Sequence, residues 1–439
     1  MTIAKILYKN MYWKALLAAL SFFTNLFLVR LFRASVSAEY YSFIYLLSLL
    51  ATFFTFGLDI SLNYFLSRRE LSFTTAGRIV AGATVFSLAV SLPLLALTFH
   101  LFSHHHITMG KWLLFSALHI SGTLLTGLSG TIFTAYGRSW QATRYTFAVN
   151  ILVVALIFFA SLFFQGPRLV ENLFMILFSF SFLQGALLLI LAAISYGGRR
   201  AEPVSRDVHI PFILRYSFKA FIINFIFFLG VRLNIYLLPY FVDAVELGNY
   251  IQAYKLVEYI GLAASFLYYP FMAWVAGAQE EEKKERALLL LIRISHTGML
   301  LFCIGILLGG KMLFPLMYGR SFGSMYSITL FFIPGLSPVF SSTFFTAYFY
   351  GVHRLKNNFT SGCIQLGLSI ALFFPLTAVL GVWGAALAFS IASLGSMAYD
   401  CIVFRKLTPY RLADILFIRA GDWKHIRIFV LQLVKFDLK

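Results

Sequence analysis

The sequence predicts an all-α polytopic membrane protein, with about twelve transmembrane helices in two six-helix lobes related by a pseudo-two-fold axis along the membrane normal. Three observations carry this prediction. Hydrophobic residues make up 60% of the 439 and charged residues 12%, whereas soluble domains carry about 25% charged residues. The apolar character runs from end to end, with a mean hydropathy of +0.84, in long stretches separated by short polar connectors. Basic residues collect on alternate connectors, as they do where loops face the cytoplasm.

The apolar stretches fall at roughly 12–33, 38–66, 77–99, 111–136, 145–165, 171–196, 212–240, 247–275, 287–309, 325–350, 358–380 and 382–404. At 1.5 Å per residue each covers about 30 Å of hydrocarbon as a helix. Barrel strands would be shorter and would alternate polar with apolar residues. Lys5, Lys9 and Lys14 precede an apolar run of about twenty residues, which is long enough to remain as the first span rather than be removed as a signal peptide. Fifty Phe and 23 Tyr suit helices that face lipid and its interfaces. Cys303, Cys363 and Cys401 lie far apart in apolar segments and read as small packing residues.

With the N-terminus inside, "SRRELSFTTAGR", "YGRSWQATR", "GGRRAEPVSRD", "EEEKKER", "HRLK" and the C-terminal tail become cytoplasmic. Together with the N-terminal lysines and Arg215, these segments hold 25 of the 35 Lys and Arg and 10 of the 17 Asp and Glu. The net charge of +18 is therefore a topology signal and not a nucleic-acid footprint. Both termini are expected in the cytoplasm.

The longest polar connector, "SYGGRRAEPVSRDVHIP" at 195–211, separates six stretches from six. The expected organisation is a lobe at 1–200, a cytoplasmic linker at 201–211, a second lobe at 212–406 and a basic interfacial tail at 407–439. The halves repeat. "AEYYSFIYLLSLL" from Ala38 matches "VELGNYIQAYKLV" from Val245, an offset of 207, and "FTAYGRSWQATRY" echoes "FTAYFYGVHRLKNN". Six spans per half make these parallel repeats, with a cavity expected between them.

Four passages carry a family resemblance: "VRLFRASVSAEYYSFIYLL", "TAYGRSWQATRYTFAVNILVV", "LPYFVDAVELGNYIQAYKL" and "LGVWGAALAFSIASLG". Over nearly its whole length the chain resembles bacterial polysaccharide flippases, the polysaccharide transporter branch of the multidrug/oligosaccharidyl-lipid/polysaccharide exporter superfamily. It departs from the family at Tyr41, where Gly is common, while the second half keeps Gly248. The resemblance implies a flippase in a bacterial cytoplasmic (inner) membrane. Its lobes would rock by alternating access to carry a polyprenyl-pyrophosphate-linked oligosaccharide of O-antigen, capsule or exopolysaccharide. Implied partners are membrane lipids and a polysaccharide polymerase with its chain-length machinery.

Charges inside the spans locate a candidate site. Arg30, Lys219, Arg232, Lys255 and Arg293 lie there with Asp59, Glu258 and Asp400. Each costs at least ~2.5–3.5 kcal/mol at a helix centre, so such side chains face a bundle interior or water. Asp400, beside Arg405, reads as snorkelling or paired. Ser48, Thr52, Thr55, Asp59 and Asn63 recur at helical spacing and form one continuous polar stripe. Gln252, Lys255 and Tyr259 share a face of span eight.

Two readings stay open. In the structural one, Lys255 pairs with Glu258, and Arg232 with Asp59 or a backbone carbonyl. In the functional one, Arg232, Lys255 and Arg30 attract a pyrophosphate, since Arg grips phosphate with two donors and Lys adds a mobile charge. Asn25, Ser48, Thr52, Asn63 and Gln252 then face sugar hydroxyls, and Asp59 and Glu258 become candidates for proton or sodium coupling.

The sequence contains no P-loop and no catalytic constellation, so an enzyme is not expected. No cofactor or metal is called for; "HHH" at 104–106 reads as a solvated loop. Pro334 and Pro338 are expected to kink span ten. The rivals are a cation-coupled multidrug exporter of the same superfamily, whose cavity should favour carboxylates, and a peptidoglycan lipid-precursor flippase, a group that usually has two more spans. A membrane glycosyltransferase would want large acidic outer loops, and the outer loops hold only Glu39, Glu171, Asp243 and Glu246.

Overall fold

The computed structural model describes residues 3–97, 99, 108–197, 210–277, 280–410 and 414–415. Among them are twelve α-helices and no strand: α1 (Ile3–Thr55), α2 (Leu58–Ser67), α3 (Phe73–Leu97), α4 (Met109–Ala135), α5 (Ser139–Phe163), α6 (Gly166–Tyr196), α7 (Ile210–Leu237), α8 (Ala244–Gly277), α9 (Glu281–Tyr318), α10 (Met325–Gly351), α11 (Leu355–Leu380) and α12 (Val382–Leu407). Short 3-10 turns lie at Leu238–Tyr240 and Arg320–Phe322. Most of the expected linker and tail, and the His104–His106 run, lie outside the described residues.

Among the described residues, ten stretches are long and apolar enough to cross a membrane. One of them, Lys9–Thr55, has 47 residues, about 70 Å at 1.5 Å per residue, enough for two crossings. It is indeed two legs. Arg33 has φ 59° and ψ −178°, a conformation that costs a non-glycine residue of the order of 1–3 kcal/mol, and the helix bends there. With α8, 34 residues long, the helices supply the twelve crossings that the apolar stretches predict. The same succession then recurs: the second leg of α1 with α2, then α3 to α6, is matched in order by α8 to α12.

The second span is not continuous. Phe56 and Gly57 both have positive φ, at 51° and 69°, and α2 starts anew at Leu58. A Cβ on Gly57 would lie 2.4 Å from the Ser217 carbonyl oxygen, so the break lets α2 close onto the α7 backbone. The expected polar stripe is thereby corrected. Ser48, Thr52 and Thr55 lie on α1, Asp59 and Asn63 on α2, and the helical phase is lost between them. Thr55 Oγ1 is turned back onto the Ala51 carbonyl, 2.8 Å away.

The chain groups into two compact units, Met1–Ile251 with Met317–Gly323, and Gln252–Leu316 with Ser324–Lys439. In the first, α4 packs along α6 and α1 along α5, over a core that includes Leu62, Phe65, Leu128, Ile132, Phe133 and Ala192. Aromatic rings fill its other end: Phe43 stacks on Trp112 with centroids 4.1 Å apart, and Phe115 on Phe178 at 5.0 Å. The Phe-rich composition thus serves packing as well as lipid-facing surface. In the second unit α12 packs along both α10 and α11, and Phe344, Phe345, Phe349, Phe404 and Ile415 are fully buried. α10 runs helically through Pro334 and Pro338. The Ser390 hydroxyl donates to the Phe331 carbonyl at 2.7 Å, in the turn those prolines loosen.

Candidate functional site

In the first unit α7 runs antiparallel to the second leg of α1 and to α2. The contacts set the register: Tyr236 Oη donates to the Tyr45 carbonyl at 3.2 Å, Phe53 meets Phe221 and Phe225, Phe56 stacks on Phe218, and Ser217 Oγ donates to Ser61 Oγ at 2.7 Å. Arg232 lies between the first two of these contacts, about level with Ser48, while Thr52 lies about a turn further along α1, near the level of Phe225. The guanidinium carbon of Arg232 sits 4.6 Å from the centre of the Phe228 ring, a cation–π contact. Arg232, Ser48 and Thr52 are half-buried. A half-buried guanidinium presents several donors in a fixed fork, which suits an anion.

The other residues singled out in the sequence divide by location. Asn25 is buried and accepts a hydrogen bond from Tyr41 Oη at 2.5 Å, which ties the two legs of α1 together. Tyr41 therefore has a structural role. Arg30 is exposed and donates through Nε to the Met317 carbonyl at 2.7 Å. Asn249 Nδ2 makes a similar bond to the Ser321 carbonyl at 3.2 Å, and the two hold the Met317–Gly323 segment in the first unit. Asp59 and Asn63 are half-buried on α2.

Asp59 sits in the first turn of α2 with its carboxylate toward the Ile60 amide, where free N–H groups favour negative charge. It forms no ion pair among the described residues, so the Arg232–Asp59 pair of the structural reading is not made. Gln252, Lys255 and Glu258 belong to the second unit, on α8: Gln252 is fully buried and the other two half-buried. The side chain of Lys219 lies outside the described residues.

Two further charged residues are buried. Arg293 is buried and grips the Asp414 carbonyl through Nε at 2.7 Å and through Nη2. This bond anchors the chain beyond α12, next to the buried Ile415. Asp400 neither snorkels nor pairs. It is 1% exposed, and no Lys, Arg or His among the described residues bridges to it. The sequence carried a signal for this: Ser390, Ser393, Ser396 and Asp400 are spaced three, three and four apart, which puts them on one helix face.

No family model matches the chain, and no curated protein matches it in sequence. Solved structures do match it in fold. The chain is similar to an inward-facing multidrug resistance MATE family transporter of the MOP superfamily, with TM-score 0.67 and 14% identity over 89% of this chain and 94% of that one. It is similar to the lipid II flippase MurJ in an inward closed conformation, with TM-score 0.61 and 16% identity over 98% and 93%. It is also similar to a MOP superfamily transporter from Pyrococcus furiosus described as having a binding pocket of reverse polarity, with TM-score 0.64 and 14% identity over 92% and 96%. The chain has the fold of MOP superfamily transporters.

Proposed function

We propose that the protein is a flippase that moves a polyprenyl-pyrophosphate-linked oligosaccharide across a bacterial cytoplasmic membrane by alternating access. The observation that carries this reading is Arg232, kept half-buried on an apolar helix about level with Ser48. Intramembrane basic residues exceed acidic ones by five to three in the sequence, a balance that favours an anionic head group. The fold likeness to MATE exporters and to MurJ supports transport rather than catalysis. Arg232, Lys255 and Arg30 would attract the pyrophosphate, and Ser48, Thr52 and Asn63 would meet sugar hydroxyls, whereas Asn25, held by Tyr41, and Gln252 are buried. Membrane lipids would hold the polyprenyl tail, and a polymerase with its chain-length machinery would take the product.

The test is restoration of surface polysaccharide in a bacterium lacking its own flippase. Wild type should restore it, and the double variant Arg232→Gln, Lys255→Gln, present at equal level, should not. Full restoration by the double variant would sink the site. A second reading, cation-coupled multidrug export, draws on the MATE likeness. It expects drug resistance from expression and no polysaccharide phenotype. A peptidoglycan lipid-precursor flippase, the reading that the MurJ likeness favours, would instead rescue cells depleted of that activity.

A further inference from the structure

Asp400 is a buried carboxyl with no assigned role. It lies on α12 where that helix packs against α10 and α11, and the Ser361 and Ser342 hydroxyls are its neighbours. Asp400, Ser361 and Ser396 are each 1% exposed, and Ser342 7%. Ser361 Oγ and Ser396 Oγ are already hydrogen-bonded to one another at 2.8 Å. Asp400 Oδ2 and Ser342 Oγ are both buried without a hydrogen-bond partner among the described residues.

An ionised carboxylate in such a place, with no cation bridging it, costs several kcal/mol. A proton on the carboxyl removes the charge. The serine hydroxyls can donate to the carboxyl in either form, but only the protonated carboxyl can also donate in return, so the neutral group exchanges hydrogen bonds with Ser342 and Ser361 without a buried charge.

Among the described residues, no cation bridges to it. On its own helix Cys401 is the neighbour that interacts with it electrostatically, and Arg405 is exposed. On α10 there are Tyr348 and Tyr350, and at the start of α11 Arg354 and Lys356, the last two exposed. The site is buried yet near an edge. Asp400 is seven residues from the end of α12, Ser361 seven from Arg354 before α11, and Ser342 nine from the end of α10. At 1.5 Å per residue the helix ends are about 10–14 Å away, and the buried rings of Phe345, Phe349 and Phe404 belong to the core at that end.

We propose that Asp400, with Ser342 and Ser361, forms a reversible proton-binding site at the α10–α11–α12 junction, and that it is the coupling group of transport. Only the coupling rests on the transporter reading. Infrared difference spectroscopy of the purified full chain, titrated from acid to alkaline pH in sodium-free buffer without substrate, tests the site. The expected result is a protonated-carboxyl band that titrates reversibly, disappears in Asp400→Asn and shifts its midpoint in Ser342→Ala. Absence of any Asp400→Asn-sensitive band across the range would overturn the proposal. If Asp400→Asn does not fold, an unshifted midpoint in both Ser342→Ala and Ser361→Ala would overturn it. Displacement of the band by added sodium at constant pH would also overturn it, in favour of a sodium site. Failure to move oligosaccharide-lipid with this band intact would count against the proposed substrate and leave the proton site standing.

Discussion

Replacing Gly248 by Ala tests the bend that separates the first two crossings. Gly248 is in the first turns of α8, and a Cβ there would lie 2.1 Å from the Ala34 carbonyl oxygen and 2.7 Å from its carbon. A carbon and a carbonyl oxygen meet at about 3.3 Å in close packing, so one backbone must retreat by about 1 Å. The obstacle is backbone rather than the tip of a flexible side chain, and Ala34 follows the strained Arg33. Overpacking of this kind costs about 1–3 kcal/mol, against about 0.5–1 kcal/mol that Ala contributes over Gly inside a helix. The expected net loss is about 1–2 kcal/mol. Gly261→Ala on the same helix is the control, because a Cβ there has nothing within 4 Å. The assay is thermal unfolding of the purified proteins in one detergent, followed by tryptophan fluorescence. Gly248→Ala should unfold below wild type and Gly261→Ala at or above it. Equal stability of Gly248→Ala and wild type would refute the close approach of α8 to the α1 bend.

Tyr41→Phe should lower stability by about 0.5–1.5 kcal/mol, the usual worth of one buried hydrogen bond. A double-mutant cycle with Asn25→Ala reads the coupling, and zero coupling would show that Asn25 does not depend on Tyr41. Arg293→Met removes both donors to the Asp414 carbonyl. Limited proteolysis should then cut beyond α12 faster than in wild type, and an unchanged cleavage rate would mean that the arginine does not hold this segment.

Crossings were legible in the sequence because length and hydropathy suffice to define them: the run at 325–350 is α10 at Met325–Gly351, and the run at 382–404 lies within α12 at Val382–Leu407. The breaks inside them were not legible. Arg33 is not a residue type that announces a bend, and its positive φ is set by tertiary packing. Gly57 could have been a signal, but an isolated glycine in an apolar run usually stays helical. Missing that break had a chemical consequence. Asp59 was read as a mid-helix charge in a polar stripe, whereas it sits at the start of a helix, where backbone amides face it.

Arg232 and Asp400 show why an intramembrane charge must be judged with its neighbours. Both were visible as costly residues in apolar sequence. Arg232 is half-buried, and its long stem carries the charge to the face of Phe228. A guanidinium is charged at all working pH, so it can select an anion but cannot switch. Asp400 is short, and its helix face of serines is the face packed against α10 and α11, so it cannot reach the interface as a snorkelling residue would. A carboxyl held there can change charge by one proton, and the cost of its ionised form is the quantity that a change in packing of α10, α11 and α12 would alter. If both assignments hold, recognition and coupling are separate tasks in this protein. One falls to a permanent cation in the first unit, the other to a titratable acid in the second. Arg232→Lys should then change substrate handling and leave the Asp400 band in place, and Asp400→Asn should remove that band and leave anion binding at Arg232 unchanged.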